Sequence, residues 1–566
     1  MPFDTMTDPN LPPRNRDRWT ERAAILLILL IAAAIRIHGV GFGLPALNDP
    51  DEPLFMMTAL DMLRSGNPNP GWFGHPATLT FYAIALVMVA VAGFGVLSGR
   101  FADLDAFGAA AYADPSILFL PARLFFVACG VLCVWLTYRL GKRLGGARLG
   151  LLAAALIAVN SVHVSYSQVI RTDVQMTVFV LLATLASLNI LERGRWRDHA
   201  LAGVFIGLGV ATKWPAALFA MSPLAAAFVC GEGWGRMRNA AIVGAAAAVA
   251  LLIASPFLLL DYATVIHNLT GEARPAHPGA TGGGLLANIG WYLRGPLLGS
   301  FGTAGLALVA IGSVFGLSDR RVRIAVLPGV AALAIVICVQ ALVWERWLVP
   351  LLPFLALGAA AAICALAGRL RAFGRRLTGV EFTAIAALLM APMVAATFTT
   401  QAERADDTRQ AASAWITANA PRGSTILVEH AAFDLLQNGW PLRFPLGSAG
   451  CVDAAALLAG RIPYSRVETL RAGSAVVDFG HLDSEQLASC QGRFAVFTHE
   501  EVYRQEPARY RVQLDRYRAI SAGGRLRAVI RPEPGSRGGP VVRIFELAPS
   551  SERGGLGLSP GAVGDR

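Results

Sequence analysis

Long apolar stretches separated by short basic clusters constrain this chain more than any other feature. Hydrophobic residues make up 55% of the 566 residues and charged residues only 15%, whereas soluble domains carry about 25% charged residues. The sequence therefore predicts a polytopic α-helical membrane protein. Eleven stretches are predicted to span the membrane, with approximate bounds 23–43, 117–140, 149–168, 174–191, 200–213, 215–230, 239–260, 297–317, 324–344, 347–367 and 381–400.

The basic clusters set the predicted topology. Cytoplasmic loops of membrane proteins carry an excess of lysine and arginine, so the arginine-rich segment 1–22 is predicted to be cytoplasmic. With eleven spans, every later cluster also falls inside, and the region after residue 400 falls outside. The net charge of +11 does not indicate a nucleic-acid partner, because the basic residues fall in short clusters between apolar runs and no aromatic-basic interleaving supports a nucleic-acid face. The clusters are Lys142-Arg143 with Arg148, Arg193–Arg197, Arg236–Arg238, Arg320–Arg323 and Arg369–Arg376.

The segment 77–97 is apolar enough to span the membrane, but counting it would invert every later segment. We therefore predict that it lies at the outer interface or within the bundle without crossing. This places a long first outer loop at 44–116. The first apolar run, 23–43, is not followed by a small-residue cleavage site, which favours a retained helix over a signal peptide.

The composition changes after residue 400. Residues 401–549 hold more charge and shorter apolar runs, which predicts an exported α/β domain large enough for its own core. The tail 550–566, rich in Gly and Ser, is predicted to be disordered. Predicted helical stretches are 403–419 and 432–438, and predicted strand runs are Thr425–Val428, Ala475–Asp478, Phe494–Phe497 and Val541–Phe545.

The seven cysteines divide between these regions. Cys451 and Cys490 lie in the predicted exported domain, where two thiols in an oxidising compartment either pair or stay free. The other five lie in apolar helices, where cysteine behaves as a small hydrophobic residue. No spacing resembles a zinc site.

The predicted outer face gathers ionisable residues at the ends of the spans. Asp49, Asp51 and Glu52 lie together in the first outer loop, and Asp173 lies between the third and fourth spans. Carboxylates there can act as bases, and nearby cations can hold a phosphate. The remaining candidates for substrate binding are His75, Arg171, Lys213, Arg274, His277, Arg294 and Arg346.

Each candidate also has a simpler interpretation. Asp51 fits the N-cap of a helix over 52–65, with Pro53 in the first turn, and Asp173 fits the cap of the fourth span. Lys213 and Arg346 fit cations that reach from helix ends to the interface. His277, in a loop rich in Pro and Gly, fits a solvated or packing histidine.

Several short motifs occur in order along the chain. They are Pro50–Leu63 with Gly71–Pro76, Ser165–Asp173, Gly207–Lys213, Ser255–Asp261, Arg346–Pro353, and Ala411–Ile416 with Pro421–Leu427. Together these motifs resemble the polyprenyl-phosphate-dependent glycosyltransferases of the GT-C fold. The closest type is the dolichyl-phosphate-mannose protein mannosyltransferase and aminoarabinose transferase group, glycosyltransferase family 39. The resemblance covers roughly residues 20–430.

The resemblance implies Asp51 as the catalytic carboxylate and Asp173 as the second acidic position, which helps to place acceptor or donor. The aminoarabinose-type pattern has a Glu-Lys pair where this chain has Gly74-His75 before Pro76, so the lysine that would face phosphate is replaced by His75. This difference argues against aminoarabinose as the substrate. The family's Arg-Tyr element has Trp347 in place of its tyrosine.

The function hypothesis is an inverting glycosyltransferase of a bacterial plasma membrane. It would move a hexose or pentose from a polyprenyl-phosphate donor to a glycan, lipid or protein acceptor at the outer face, with no resident cofactor; a divalent cation stays an open alternative. One competing hypothesis is a transporter or flippase, but such proteins place ionisable residues near the midplane. Another is a receptor or scaffold whose exported domain binds a partner.

Overall fold

The chain divides into two units, one helical and one that contains the sheet together with further helices. The structure, a computed structural model, describes residues 15–372, 378–429, 434–457, 469–470 and 476–548. The helical unit contains 1–40, 54–94 and 118–401, and the sheet unit contains 41–53, 95–117 and 402–566.

The helices before residue 406 follow the apolar stretches of the sequence. Short non-α turns occupy Trp214–Ala220, Leu293–Leu297 and Glu345–Leu348. The α-helices are α1 (Asn15–Ile37), α2 (Glu52–Ser65), α3 (Thr78–Leu97), α4 (Leu104–Ala113), α5 (Ser116–Ala158), α6 (Ser161–Ser167), α7 (Thr172–Arg193), α8 (Trp196–Thr212), α9 (Met221–Cys230), α10 (Trp234–Ala254), α11 (Phe257–Leu260), α12 (Tyr262–Glu272), α13 (Leu285–Tyr292), α14 (Leu298–Gly316), α15 (Arg320–Ala325), α16 (Leu327–Val339), α17 (Leu352–Ala372) and α18 (Gly379–Ala405).

Within the described residues, seven helical segments are long and apolar enough to cross a membrane. Two shorter apolar helical segments, Trp214–Cys230 and Leu327–Val339, add to them. The polytopic helical membrane class is thereby confirmed. The seven segments are Thr78–Leu97, Ser116–Ala158, Thr172–Arg193, Trp234–Ala254, Leu285–Gly316, Leu352–Leu370 and Gly379–Ala405.

The first helix is shifted from its predicted bounds of 23–43. It already begins at Asn15 and ends at Ile37, after which the chain forms turns up to Leu47. Gly39 and Gly43 lie in these turns with φ of 71° and 64°, a conformation that glycine adopts without strain. Hydropathy alone missed this end because the turn residues are themselves apolar.

The predicted spans 117–140 and 149–168 are the two arms of a hairpin. The helix α5 turns back at Gly145 and Gly146, where φ and ψ leave the helical region. A Cβ atom at Gly150 would lie 2.6 Å from the carbonyl oxygen of Tyr138, so the arms meet closely. The second arm is broken again at Asn160, which caps the short helix α6 through its side chain.

Glycines also allow two pairs of later helices to touch. A Cβ at Gly207 of α8 would lie 2.3 Å from the carbonyl oxygen of Ala247 in α10. A Cβ at Gly312 of α14 would lie 1.7 Å from the carbonyl oxygen of Gly358 in α17. Close backbone approach at small residues is the usual way in which membrane helices associate. These contacts fix the bundle that holds the site residues.

The described residues of the sheet unit form a sheet of six strands. Parallel pairing joins β1 to both β2 and β4, and the other neighbours pair in the antiparallel sense. The strands are β1 (Ile426–Leu427), β2 (Leu442–Pro445), β3 (Cys451–Asp453), β4 (Phe494–Phe497), β5 (Arg525–Ile530) and β6 (Val542–Glu546), in the sheet order β3-β2-β1-β4-β6-β5. The helices are α19 (Thr408–Asn419), α20 (Asp434–Gln437), α21 (Ala454–Ala456), α22 (Glu500–Gln505) and α23 (Arg511–Ser521).

The predictions for this unit were partly right. Three of the four strand runs coincide with β1, β4 and β6 to within one residue at each end, but the described part of Ala475–Asp478 is not a strand. There Asp478 caps a 3₁₀ turn at Phe479–His481. The helical stretch 403–419 is divided by Asp407, which caps α19. Cys451 and Cys490 form a disulfide, and the predicted tail 550–566 lies outside the described residues.

Candidate active site

A buried ion pair joins two helix ends in the helical unit. Asp173 lies in the first turn of α7, and Lys213 is the residue at which α8 ends. The Lys213 Nζ lies 2.6 Å from Asp173 Oδ1, and the two side chains are 5% and 3% exposed. Because a charge buried at this depth needs a partner, each residue fixes the other. The pair brings together two residues that are 40 positions apart in sequence.

Further cations surround this pair. Lys213 lies within electrostatic range of Arg171 and Arg346 as well as Asp173. Tyr166 of α6, which is half-buried, lies within electrostatic range of Glu345, Arg171, Arg346 and Asp173. Three cations therefore share one neighbourhood with two carboxylates. Such an excess of positive charge at a shielded position is suited to a phosphate group.

Arg346 and His277 are held by one tryptophan. The guanidinium carbon of Arg346 lies 4.5 Å from the centre of the Trp344 ring, and the His277 ring meets the same tryptophan edge-on at 4.9 Å. A cation over an indole face is attracted by the ring quadrupole. The sequence suggested two independent residues here, but Trp344 makes them parts of one cluster. His277 is half-buried, which favours the packing interpretation over a solvated one.

His75 reaches the same neighbourhood through the loop before α3. Its Nδ1 lies 3.5 Å from the hydroxyl of Thr172, next to Asp173, and its ring packs against Trp72 at 5.4 Å. The loop is anchored at Phe73, whose amide donates to Asn268 Oδ1 and whose carbonyl accepts from the indole of Trp214. The imidazole thus takes a fixed place beside the first turn of α7.

The first acidic group belongs to the sheet unit. Asp51 is half-buried just before α2, and its amide donates to Asp49 Oδ1 at 3.0 Å. Glu52 is fully buried at the start of α2. Asn48 donates to Gln410 Oε1 at 2.9 Å and its carbonyl accepts from Arg409, which ties this turn to α19. Asp49 therefore holds the turn that presents Asp51.

Two sequence candidates remain apart from the charged cluster. Arg274 hydrogen-bonds the carbonyl of Gly271 and pairs with Glu272 at 3.5 Å, within its own loop. Arg294 is exposed on the π-helical turn before α14. Neither residue has a described contact with Asp173 or Lys213. Asp173 is also not the cap of α7, because that position is held by Arg171.

Sequence reasoning did not select Tyr166, Thr172 or Trp344. Tyr166 and Thr172 lie inside the motif Ser165–Asp173, so the motif itself carried the signal. Trp344 precedes Glu345 and Arg346 by one and two positions, but nothing in its spacing points to His277.

A second polar cluster lies in the sheet unit, where Glu429, Asp478 and His499 place ligand-type atoms within 4.8 Å of one another. The oxygens of Glu429 accept hydrogen bonds from five donors. Burial alone would raise the pKa of Asp478, but hydrogen bonds and charge from His481 lower it. Because these donors occupy the carboxylate oxygens, we interpret the cluster as a hydrogen-bonded network of the domain core. The donors to Glu429 are the amides of Phe479, Thr498 and His499 and the hydroxyls of Thr498 and Tyr517.

Known structures share this fold. The crystal structure of ArnT from Cupriavidus metallidurans in the apo state aligns with a TM-score of 0.53 at 12% identity, covering 94% of this chain and 98% of that one. The same protein bound to undecaprenyl phosphate aligns with a TM-score of 0.51 at 13% identity and the same coverage. The Archaeoglobus fulgidus oligosaccharyltransferase, tethered to an acceptor peptide, gives a TM-score of 0.47 at 13% identity, covering 89% of this chain and 72% of that chain.

Comparison by sequence matches a smaller part of the chain than comparison by structure. No curated protein matches the chain significantly. The family model described as dolichyl-phosphate-mannose-protein mannosyltransferase matches residues 118–260, which include Asp173 and Lys213. The chain is therefore a membrane protein of the GT-C fold, with a segment that matches the dolichyl-phosphate-mannose-protein mannosyltransferase model.

Proposed function

We propose that this protein transfers a sugar from a polyprenyl phosphate to an acceptor hydroxyl at the outer face of a bacterial plasma membrane. The observation that carries the proposal is the buried Asp173–Lys213 pair with Arg171 and Arg346 around it. On the same fold, ArnT was crystallised with undecaprenyl phosphate. A cationic cluster among apolar helices provides for both parts of such a donor, the charged head and the lipid tail.

In the proposed mechanism, Asp51 is the general base. It takes the proton from the acceptor hydroxyl, whose oxygen attacks the anomeric carbon of the sugar. The bond from that carbon to the phosphate oxygen breaks, and the configuration inverts. General-base catalysis of this kind contributes about 10²–10⁴-fold to the rate.

The cations act on the leaving group. Polyprenyl phosphate departs with an additional negative charge, which Lys213, Arg171 and Arg346 would stabilise. His75 takes the place of a lysine in the resembled motif and would donate a hydrogen bond to the phosphate rather than a fixed charge. Asp173 keeps Lys213 charged and in place. We include Glu52, Asp49, Arg274, His277 and Arg294 as further proposed substrate-binding residues of the outer face.

The proposed orientation follows the positive-inside pattern. The N-terminus would be cytoplasmic and the sheet unit extracytoplasmic. An oxidising compartment of that kind favours the Cys451–Cys490 disulfide. The transferred sugar would be a hexose or pentose, and the acceptor a glycan, lipid or protein. In this scheme the positive charge that stabilises the leaving phosphate comes from three basic side chains, and a divalent cation stays an open alternative.

The test is transfer by purified protein in proteoliposomes with a radiolabelled polyprenyl-phosphate sugar. Formation of labelled product supports the transferase. Movement of intact donor between leaflets without a new glycosidic bond would support a flippase instead, and binding without turnover would support a receptor. Loss of a cell-envelope glycan in a strain lacking the protein would identify the acceptor.

The catalytic assignment is tested by Asp51→Asn. Because asparagine cannot accept the proton, we expect transfer to fall by about 10²-fold or more while thermal unfolding is unchanged. Asp61→Asn, a matched carboxylate change within α2, should keep wild-type activity. Full activity of Asp51→Asn would reject Asp51 as the base.

A further inference from the structure

A buried guanidinium joins the first helix to the segment that carries the site residues. Arg36, near the end of α1, is 0% exposed. It donates five hydrogen bonds, each to a neutral acceptor, and so uses every N–H of the side chain. The acceptors are Ser167 Oγ at 3.3 Å, His163 Nδ1 at 2.9 Å, and the carbonyl oxygens of Ala32 at 3.1 Å, Ile157 at 3.1 Å and Ala158 at 2.9 Å.

These bonds stabilise the break between α5 and α6. Where α5 ends, the carbonyls of Ile157, Ala158 and Val159 lose the amides four residues on as helical partners, and that of Ile157 accepts instead from the Asn160 amide at 3.4 Å. Arg36 bonds the first two, and the Thr397 hydroxyl of α18 bonds the third at 2.8 Å. A carbonyl left unsatisfied in an apolar interior costs several kcal/mol. A cation at a helix C-terminus also complements the helix dipole.

The connection is reciprocal. Gln168, immediately after α6, donates from Nε2 to the carbonyls of Arg36 at 3.0 Å and His38 at 2.7 Å. The end of α1 is thus capped by the segment that Arg36 itself caps. Gln168 precedes Arg171 by three residues and Asp173 by five. The buried residues Val169 and Ile170 lie between, so the displacement of Gln168 would be transmitted along a packed segment.

Resting on the proposed function, we propose that Arg36 and Gln168 are positioning residues of the transfer site. Together they fix the segment 161–173 against α1 and thereby set where Asp173 meets Lys213. Misplacement of a site by about 1 Å costs about 10²-fold in rate, so the effect of losing this connection should appear in catalysis.

The chain offers a matched control. Gln401 of α18 also donates from Nε2 to the end of α1, to the carbonyls of Ile35 at 2.6 Å and His38 at 3.3 Å. It caps the same helix with the same chemistry, but no candidate site residue follows it. Gln168→Met and Gln401→Met each remove two Nε2 bonds to the end of α1 at similar side-chain volume, and only one of them acts on the site segment.

The experiment compares kcat and donor KM for these variants and for Arg36→Lys. We expect kcat to fall at least about tenfold in Gln168→Met and Arg36→Lys, with donor KM within about threefold of wild type. Gln401→Met should retain wild-type kcat. Equal loss of kcat in both glutamine variants, in step with loss of thermal stability, would overturn the proposal, as would unchanged kcat in Gln168→Met.

Hydrogen exchange separates this inference from the proposed function. Positioning predicts faster amide exchange in peptides covering 161–175 for Gln168→Met but not for Gln401→Met. If the wild-type protein transfers no sugar, the proposed function fails, and this local difference still supports the connection. Equal exchange in the two variants would overturn the positioning role.

Discussion

At the scale of single residues, the Asp173–Lys213 pair has two roles that need to be separated. The side chains of this ion pair are only 3% and 5% exposed, so removing either charge leaves the other buried and unpaired, which destabilises the fold. The same pair is proposed to face the phosphate. Replacing one residue therefore loses fold and function together, and only the joint replacement tells them apart.

We expect Asp173→Asn or Lys213→Met alone to lower the free energy of unfolding by about 3–5 kcal/mol, measured by thermal unfolding in detergent. The double variant should recover most of this stability, since no buried charge of the pair is left unpaired. Its transfer rate should stay at least about 10²-fold below wild type. A double variant that regains both stability and activity would show that the pair is structural only.

At the scale of elements, backbone contact between helices explains the bundle better than side-chain packing. The approach of α14 to α17 leaves no room for a Cβ at Gly312, whose ideal Cβ would lie 1.7 Å from a carbonyl oxygen. Lipid offers no hydrophobic driving force for helix association. Close van der Waals contacts of this kind stabilise the association instead. Glycine at position 312 of α14 is therefore a requirement of packing.

We expect Gly312→Ala to push α14 and α17 apart and to lower the free energy of unfolding by about 1–3 kcal/mol. Gly299→Ala is the control in the same helix, because a Cβ there meets no atom within 4 Å. That change should leave stability unchanged or raise it by up to about 1 kcal/mol. Thermal unfolding of both purified variants measures the two changes in the free energy of unfolding. Similar changes in the two variants would contradict the close contact at Gly312.

The sequence predicted elements better than it predicted contacts. Hydropathy found the apolar helices, and the N-cap signal at Asp51 found the start of α2 at Glu52. The search for short apolar runs missed β5, because this edge strand is largely exposed and carries alternating arginines. The meeting of Asp173 with Lys213 follows from the packing of α7 on α8, which no local pattern encodes.

At the scale of the whole molecule, the sheet unit bears on the topology. It contains 41–53, 95–117 and 402–566, which flank the segment 54–94. Within that segment α3 is long and apolar enough to cross a membrane, whereas the basic clusters of the sequence predict that 77–97 makes no crossing. Labelling on the two sides of α3 distinguishes these possibilities.

We expect Asn67→Cys and Ser98→Cys, on the two sides of α3, to react equally with a membrane-impermeant thiol reagent added to intact cells. Both positions are exposed, and the natural exposed thiol Cys230 would be replaced by serine in the background protein. A cysteine at Gly145, in the turn of the α5 hairpin, should stay unlabelled until the membrane is permeabilised. Labelling of position 67 without position 98 would mean that α3 crosses.

The buried Arg36 also has a consequence for how the chain is made. Translation delivers α1 before α5 and α18, and a charged residue in an inserting helix carries a penalty of up to about 2.5–3.5 kcal/mol until it finds acceptors. The acceptors on α5 lie 121 and 122 residues later, and Gln401 caps the same helix end only 366 residues after Ile35. The hydrogen bonds that hold α1 are thus completed only after α18 has been made, so a chain stalled before α18 would keep a loosely held helix that quality-control proteases could recognise.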